Sequence, residues 1–121
     1  MNLNHISLPV RDLDEAETFF TRDLGFVRID RKADAILILE DGHGLTLVLA
    51  TLKGANGADV AYPEGFHIGF FLDGAAAVDA AHARLARSGH EVGRPPRPIR
   101  DRYGFYFSCL GGLLLEISAE R

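Results

Sequence analysis

Two stretches of the chain place apolar residues at the three- and four-residue spacing of an amphipathic helix. Each stretch follows an aspartate, Asp12 or Asp73, and Asp12 is a suitable N-cap. Each is followed by a glycine, Gly25 or Gly89, where a helix commonly ends in a left-handed residue. The pattern predicts two helices, with apolar positions at Leu13, Ala16, Phe20 and Leu24 in the first and at Val78, Ala81 and Leu85 in the second.

Short apolar runs bounded by turn residues predict strands on both sides of these helices. One run opens at His5 and another at His67, each just before a predicted helix. After the first helix we expect strands at 26–31, 36–40 and 45–51, and after the second at 90–93, 105–109 and 113–118. The segment 53–65 contains three glycines and a proline, so we expect it to be a linker.

The two halves of the chain resemble each other. Matching points lie 62, 64 and 68 residues apart, at His5 and His67, Gly25 and Gly89, and Gly44 and Gly112. Each half contains a strand, a helix and about three more strands, which is an α+β arrangement. A length of 121 residues suits one domain. We therefore predict a single domain built of two modules, at about 1–52 and 66–121, joined by the linker 53–65.

Alternation along the predicted strands separates an apolar face from a face that carries polar groups. In the last strand Leu115 and Ile117 point toward the helix, so Glu116 points the other way. The same reasoning places His5 and His67 on the face away from the helices. Singly, each has an ordinary explanation, as a half-exposed, hydrogen-bonded or solvent-facing residue. Together they form a two-histidine, one-carboxylate set, which suits a metal ion with open coordination positions.

Composition limits the function classes. The net charge of −4 argues against a nucleic-acid-binding protein. No run approaches the length of a membrane span, and the N-terminus lacks the pattern of a signal peptide. The single cysteine, Cys109, forms no internal disulfide and is consistent with a cytoplasmic protein. We expect it to pack rather than to react.

Three segments resemble the vicinal oxygen chelate superfamily, which includes glyoxalase I, bleomycin-resistance proteins, extradiol dioxygenases and fosfomycin-resistance enzymes. They are LNHISLPVRDLDEAETFFTRDLGF near the start, GFHIGFFLD in the middle and FYFSCLGGLLLEI near the end. The resemblance implies paired βαβββ modules that form a curved mixed sheet around a central cavity. It also implies a divalent metal ion (Fe, Mn or Zn) held by His5, His67 and Glu116.

Two departures from the family pattern narrow the resemblance. Glyoxalase I has a fourth ligand, a glutamate, at the position of Val48, so a glyoxalase I site is disfavoured. The acidic turn that usually precedes the last strand is CLGG here, which keeps the glycines and loses the acidic residues.

The leading interpretation is an extradiol dioxygenase-like enzyme that binds a small substrate through two adjacent oxygens. Tyr106 matches the position of the family's tyrosine and would be its hydrogen-bond donor or general acid. A fosfomycin-resistance-type thiol transferase is an alternative, in which Ser7 replaces a threonine. The sequence lacks that class's serine-rich ion-binding loop and its longer tail.

A metal-free drug-binding protein of the bleomycin-resistance type is the second alternative, with Phe66, Phe71 and Tyr106 as stacking surface. In either case the expected substrate pocket consists of Ser7, Val48, Phe71, Leu114 and Arg102. The segment 94–102 is either a stiff solvated loop or a rim that attracts an anionic substrate. Small family members usually dimerise, so we expect a homodimer in which sites are formed within one chain or shared between two.

Overall fold

The computed structural model describes residues 1–51 and 60–121. Those residues form two compact units, Met1–Val60 and Ala61–Arg121. The predicted linker 53–65 lies outside the described residues from 53 to 59, and residues 60–65 contain only irregular backbone and a turn. The grouping of the two modules into a single domain stays a prediction.

The first unit is a four-stranded mixed sheet with one helical segment. Its elements in chain order are β1 (His5–Val10), α1 (Leu13–Thr18), β2 (Val27–Lys32), β3 (Ile36–Glu40) and β4 (Thr46–Thr51). The strand order is β1-β4-β3-β2. β1 pairs with β4 in parallel, and the other two pairs are antiparallel.

The second unit repeats this arrangement. Its elements are β5 (His67–Phe71), α2 (Ala75–Arg87), β6 (Arg97–Ile99), β7 (Arg102–Cys109) and β8 (Leu113–Glu120). The strand order is β5-β8-β7-β6, again with one parallel pair, β5 with β8. Each unit is therefore a βαβββ module, and the predicted α+β fold is confirmed.

The first helix is confirmed but changes its geometry halfway. Asp12 caps it, since its Oδ1 accepts a hydrogen bond from the Glu15 N–H at 2.9 Å. Regular α-helix ends at Thr18, and a π-helical turn follows from Phe19 to Asp23. Helical periodicity in the sequence does not distinguish these two forms, because both bury the same face over so short a distance.

One strand prediction is wrong. No strand forms at 90–93, where Gly89 and Gly93 both have positive φ angles, of 91° and 62°. Such angles lie outside the extended region that a strand requires. The strand that replaces it in the second unit is β6, a three-residue edge strand. It lies inside the segment 94–102, which we expected to be a loop.

The core of the second unit lies between α2 and one face of the sheet. Alternate residues of β7 and β8 are buried there together with the apolar positions of the helix: Phe105, Phe107, Leu113, Leu115, Ile117, Val78, Ala81 and Leu85. The predicted phase of β8 is thus correct. The intervening residues of β5, β7 and β8 lie on the opposite face of the sheet, which we call the open face.

None of the helices in the described part of the chain is long and apolar enough to cross a membrane.

Candidate functional site

The open face of the second unit brings together three of the residues that the sequence singles out. His67 begins β5, Tyr106 lies on β7 and Glu116 lies on β8 between them. In the strand register Glu116 is opposite Tyr106 on one side and Gly69 on the other. His67 Nε2 lies 3.5 Å from Glu116 Oε2. Gly69 has no side chain, so the space between His67 and Glu116 stays open.

Hydrogen bonding fixes which nitrogen of His67 carries the proton in the neutral ring. Nδ1 lies 2.9 Å from the carbonyl oxygen of Gly65. A carbonyl only accepts hydrogen bonds, so Nδ1 is the donor and Nε2 keeps its lone pair. That lone pair faces the carboxylate of Glu116. Two acceptors at this distance repel each other unless a proton or a cation lies between them.

Tyr106 organises the carboxylate. Its hydroxyl donates to Glu116 Oε2 at 2.9 Å, and its ring meets the His67 ring edge-on with centroids 5.6 Å apart. Burial raises the pKa of Tyr106, and the hydrogen bond to Glu116 and the carboxylate charge raise it further. The cations of Arg97 and Arg100 act in the opposite direction. The net effect is an upward shift, which keeps the phenol protonated at neutral pH.

His5 begins β1 of the first unit and is exposed. Its Nδ1 lies 2.7 Å from Asn4 Oδ1, an acceptor, so Nε2 is again the unprotonated nitrogen of the neutral ring. His5 and His67 thus begin equivalent strands and present the same nitrogen.

The predicted three-ligand set is not assembled within either unit by itself, because His5 belongs to the first unit and His67 and Glu116 to the second. Among residues 1–51 and 60–121, no three His, Cys, Asp or Glu side chains are grouped closely enough to hold a metal ion.

The strand register supports the equivalence of Val48 and Glu116. Val48 on β4 is opposite Ser7 on β1 and Ile38 on β3. Glu116 on β8 is opposite residues of the two equivalent strands in its own sheet, Gly69 on β5 and Tyr106 on β7. The first unit therefore has no carboxylate at the position where the second has one. Ser7 is exposed and Val48 half-buried, so both are available to a ligand at the first sheet.

Two predicted pocket residues of the second unit contact each other. The guanidinium carbon of Arg102 lies 3.6 Å from the centroid of the Phe71 ring, a cation–π contact. Both residues line a hollow of about 530 Å³, together with Leu72, Asp73, Gly74 and Glu120. Leu114 is opposite both His67 and Ser108 and is half-buried. It therefore contributes apolar floor near the histidine.

Sequence reasoning missed Arg97 on this face and, just before β5, the stacking of Tyr62 on Phe66. Arg97 was hidden in an expected loop, although alternation along a short edge strand places it beside Gly104. Tyr62 precedes the site and stacks on Phe66 with ring centroids 5.8 Å apart. Burial raises the pKa of Tyr62, with a smaller contribution from Cys109. Pro63, which lies between the two aromatic residues in the sequence, is the sequence signal for a turn there.

Comparisons with known proteins identify the family of this chain. Solved structures match this chain over most of their own length. A possible glyoxalase from Bacillus cereus is 29% identical, with a TM-score of 0.82 and coverage of 97% of both chains. The fosfomycin resistance protein FosX from Listeria monocytogenes is 22% identical, with a TM-score of 0.81 and coverage of 100% of this chain and 94% of that one.

Lactoylglutathione lyase from Agrobacterium tumefaciens is 20% identical, with a TM-score of 0.76 and coverage of 98% and 92%. The search of curated proteins finds no match. The family model that matches, over residues 2–117, is that of the Glyoxalase/Bleomycin resistance protein/Dioxygenase superfamily. The chain belongs to that superfamily.

Proposed function

We propose that this protein is a metal-dependent enzyme that binds a small substrate through two adjacent oxygens. The observation that carries the proposal is the pair formed by His67 and Glu116. Nε2 of His67 and Oε2 of Glu116 face each other at 3.5 Å on an accessible sheet face, while Nδ1 of His67 lies against the carbonyl of Gly65. A divalent cation between them would remove their repulsion and offset the desolvation of Glu116, whose side chain is only 15% exposed.

The donor set fits a metal ion. Metal-binding histidines usually donate their second ring N–H to a carbonyl or carboxylate, as His67 does to Gly65. Metal-binding carboxylates are usually hydrogen-bonded in turn, as Glu116 is by Tyr106. We propose His5 as the third ligand, supplied by the first unit of the same chain or of a second copy. Imidazole and carboxylate suit Fe, Mn and Zn alike.

The bound ion would act as a Lewis acid and as a template for the two substrate oxygens. The chain's own residues then orient and protonate. Tyr106 would be the hydrogen-bond donor or general acid of the site, because its raised pKa keeps the hydroxyl protonated at neutral pH and the bond to Glu116 holds it in place. Leu114 and Phe71 supply apolar surface that suits an aromatic or hydrophobic substrate. An extradiol dioxygenase-like reaction is the leading version of this proposal.

A second candidate, a metal-free binding protein of the bleomycin-resistance type, is favoured by a separate observation. Phe71 is 69% exposed and Phe66 is 38% exposed, in a unit whose other large apolar side chains are better covered. Exposed aromatic rings are suited to stack on a flat ligand. A fosfomycin-type thiol transferase is a third candidate, and the likeness to FosX supports it at the level of the fold alone.

We also propose a cytoplasmic homodimer. The single cysteine, buried as Cys109, requires no oxidising compartment. A two-fold dimer would supply His5 of one copy to His67 and Glu116 of the other, twice over.

Metal binding by the purified chain tests the proposal. After removal of metals by chelation, Fe(II), Mn(II) and Zn(II) are each titrated and the affinity and stoichiometry are measured by competition with a chelating indicator. We expect His67→Ala, Glu116→Gln and His5→Ala each to lower the affinity at least about tenfold. His43→Ala is the matched control, because His43 is an exposed histidine in the turn before β4.

Each outcome separates the candidates. Loss of affinity in the three variants and not in His43→Ala supports the metalloenzyme. Equal affinity in all of them would overturn it. Unchanged binding of a flat aromatic probe in His5→Ala, in a protein that takes up no metal, would support the metal-free binding protein instead.

A further inference from the structure

The arginines of the two units are partnered differently. Each of the four arginines in the first unit forms an ion pair with a carboxylate: Arg11, Arg22, Arg28 and Arg31. On the open face of the second unit, Arg97 and Arg102 are half-buried. Within the described residues neither has a carboxylate within 4.0 Å. Two half-buried guanidinium groups on one face, with no carboxylate to neutralise them, are suited to bind an anionic ligand.

The row of the sheet that runs from Arg97 to Phe71 carries only small residues at its centre, and we call this row the trough. It reads Arg97 on β6, Gly104 on β7, Ser118 on β8 and Phe71 on β5. A Cβ atom at Gly104 would lie 2.3 Å from the carbonyl oxygen of Ile117, so no side chain can be accommodated there. The centre of the trough is therefore formed by the backbone of Gly104 and the small side chain of Ser118.

The floor of the trough contains an unsatisfied polar group. Ser118 is fully buried, and its hydroxyl has no hydrogen-bond partner in the described part of the chain. Buried hydroxyls nearly always have one. Alternation places Ser118 on the open face, as it does Glu116 two residues earlier. This donor is independent of the arginines and lies between them.

Arg102 reaches the trough from the side. It lies on β7 and its guanidinium stacks on Phe71 of β5, so its side chain crosses β8 beside Ser118. Stacking uses the face of the guanidinium and leaves the N–H groups at its edge free to bind an oxyanion in a two-pronged manner. Glu120 is opposite Arg102 in the register, but it is exposed and does not pair with it.

We propose that Arg97 and Arg102, with Ser118 between them, bind an oxyanionic group of the substrate: a carboxylate, a phosphate or a phosphonate. The row of Glu116 and Tyr106 is two residues away along the strands, which is about 7 Å. The substrate would thus carry its anionic group about 7 Å from its two adjacent oxygens, roughly the length of one aromatic ring. This last step rests on the proposed function; the anion subsite itself does not.

The test uses metal-free full-length protein, so that it does not depend on the metal site. Acetate, inorganic phosphate and methylphosphonate are titrated separately, with acetamide as the neutral probe, and the amide signals of Gly104 and Ser118 and the side-chain Nε–H signals of the arginines are followed by NMR. We expect saturable shifts with at least one anion and none with acetamide. Arg97→Gln and Arg102→Gln should each weaken binding at least about fivefold, since each removes a charge-assisted hydrogen-bond donor.

The control variant is Arg87→Gln, which removes the same charge from an exposed position at the end of α2. Binding within twofold of the unaltered chain in both Arg97→Gln and Arg102→Gln would overturn the proposal. So would an equal loss in Arg87→Gln, which would indicate a general charge effect. Thermal unfolding of each variant checks that the loss is not one of folding.

The anion arms also distinguish the ligand chemistry. Tighter binding of acetate assigns a carboxylate substrate, and tighter binding of phosphate or methylphosphonate assigns a tetrahedral oxyanion. His67→Ala should leave anion binding unchanged in the metal-free protein. Anion binding in a chain that takes up no metal would contradict the proposed function and leave the subsite standing.

Discussion

The hydroxyl of Tyr106 donates a hydrogen bond to Oε2 of Glu116, the same carboxylate oxygen that faces Nε2 of His67. The two residues are directly opposite each other on neighbouring antiparallel strands. Tyr106 therefore holds the carboxylate in place. The single contact connects the proposed metal ligand to the proposed proton donor.

Replacing Tyr106 with phenylalanine should lower metal affinity about tenfold, because the carboxylate loses the donor that fixes its orientation. Chelator competition measures the change. Tyr103→Phe is the control, since Tyr103 lies on the same strand and donates to Asp79 on the other face of the sheet at 2.6 Å. Equal affinity in Tyr106→Phe and the unaltered chain would show that this hydrogen bond does not support the ligand.

Gly104→Ala should lower the free energy of unfolding by about 1–3 kcal/mol, the usual cost of forcing an extra methyl group into a packed site. The new Cβ would meet the backbone of Ile117 at 2.3 Å and the side chain of Ser118 at 2.7 Å. Urea denaturation measures the loss. Gly69→Ala is the matched control on the same face, because its Cβ would meet only Glu116 Cβ, at an ordinary 4.0 Å. Comparable losses in the two variants would contradict the close approach at Gly104.

Asp12→Ala should destabilise the chain by about 1 kcal/mol, the usual cost of removing an N-cap side chain. Its Oδ1 accepts from the Glu15 N–H at the start of α1. The equivalent aspartate of the second unit, Asp73, precedes a helix that begins after Gly74 without a side-chain cap. Asp73→Ala should therefore change the free energy of unfolding by much less in the same denaturation experiment. A larger loss for Asp73→Ala would show that the two helix starts are wrongly distinguished.

Asp41 gives the stability a pH dependence. Burial pushes the pKa of Asp41 upward, but the N–H groups of His43 and Leu45, which donate to its Oδ1 at 2.7 and 3.0 Å, outweigh burial and leave the pKa below its ordinary value. A pKa lowered by folding contributes stability above the unfolded pKa of about 4 and loses it as the pH falls through the folded value.

Asp41→Ala should accordingly lower the free energy of unfolding by about 1 kcal/mol at pH 7, through the loss of these hydrogen bonds. The difference from the unaltered chain should shrink as the pH falls below about 4. Denaturation at a series of pH values measures both. Asp101→Ala, in the exposed turn before β7, is the control. A difference that stays constant down to pH 2 would mean that the Asp41 carboxylate charge has no part in it.

Most of the fold was predictable because alternation and helical spacing reflect burial directly. β3 was predicted with its exact ends, because the apolar run Ile36–Leu39 closes at the charged Glu40, the one exposed residue of the strand. β6 was not predictable, because the two prolines before it indicate a loop and only pairing with β7 makes it a strand. Such an edge strand depends on a partner distant from it in the sequence rather than on its own residues.

The candidate site was predictable in part for the same reason. The phase of the strand that holds Tyr106 stays open in the sequence, but alternation places His67 and Glu116 on one face. It does not determine the protonated nitrogen of His67 or the stacking of Arg102 on Phe71, which depend on side-chain torsions and on contacts between strands. Arg97 was missed because its strand, β6, was expected to be part of a loop.

The first unit already contains the framework for a second histidine–carboxylate pair. His67 is opposite Leu114, and Glu116 follows two residues later on the same strand. His5 is opposite Thr46, and Val48 follows two residues later. His5 and Val48 therefore occupy positions equivalent to those of His67 and Glu116, and the first unit lacks only the carboxylate.

Val48→Glu should therefore raise metal affinity at least about tenfold. The new carboxylate would lie diagonally across from His5 and would add a charged ligand. This is the position that the resemblance to glyoxalase I assigns to its fourth ligand. Val48 is half-buried, so the longer side chain reaches solvent and the sheet should stay folded. Chelator competition compares Val48→Glu with Val48→Gln, which matches the size and shape of the new side chain without its charge. A gain in Val48→Glu alone would support both the equivalence of Val48 with Glu116 and the placement of His5 at the metal. Equal affinities in the two variants would contradict that placement, since a new carboxylate next to a true metal ligand strengthens the site.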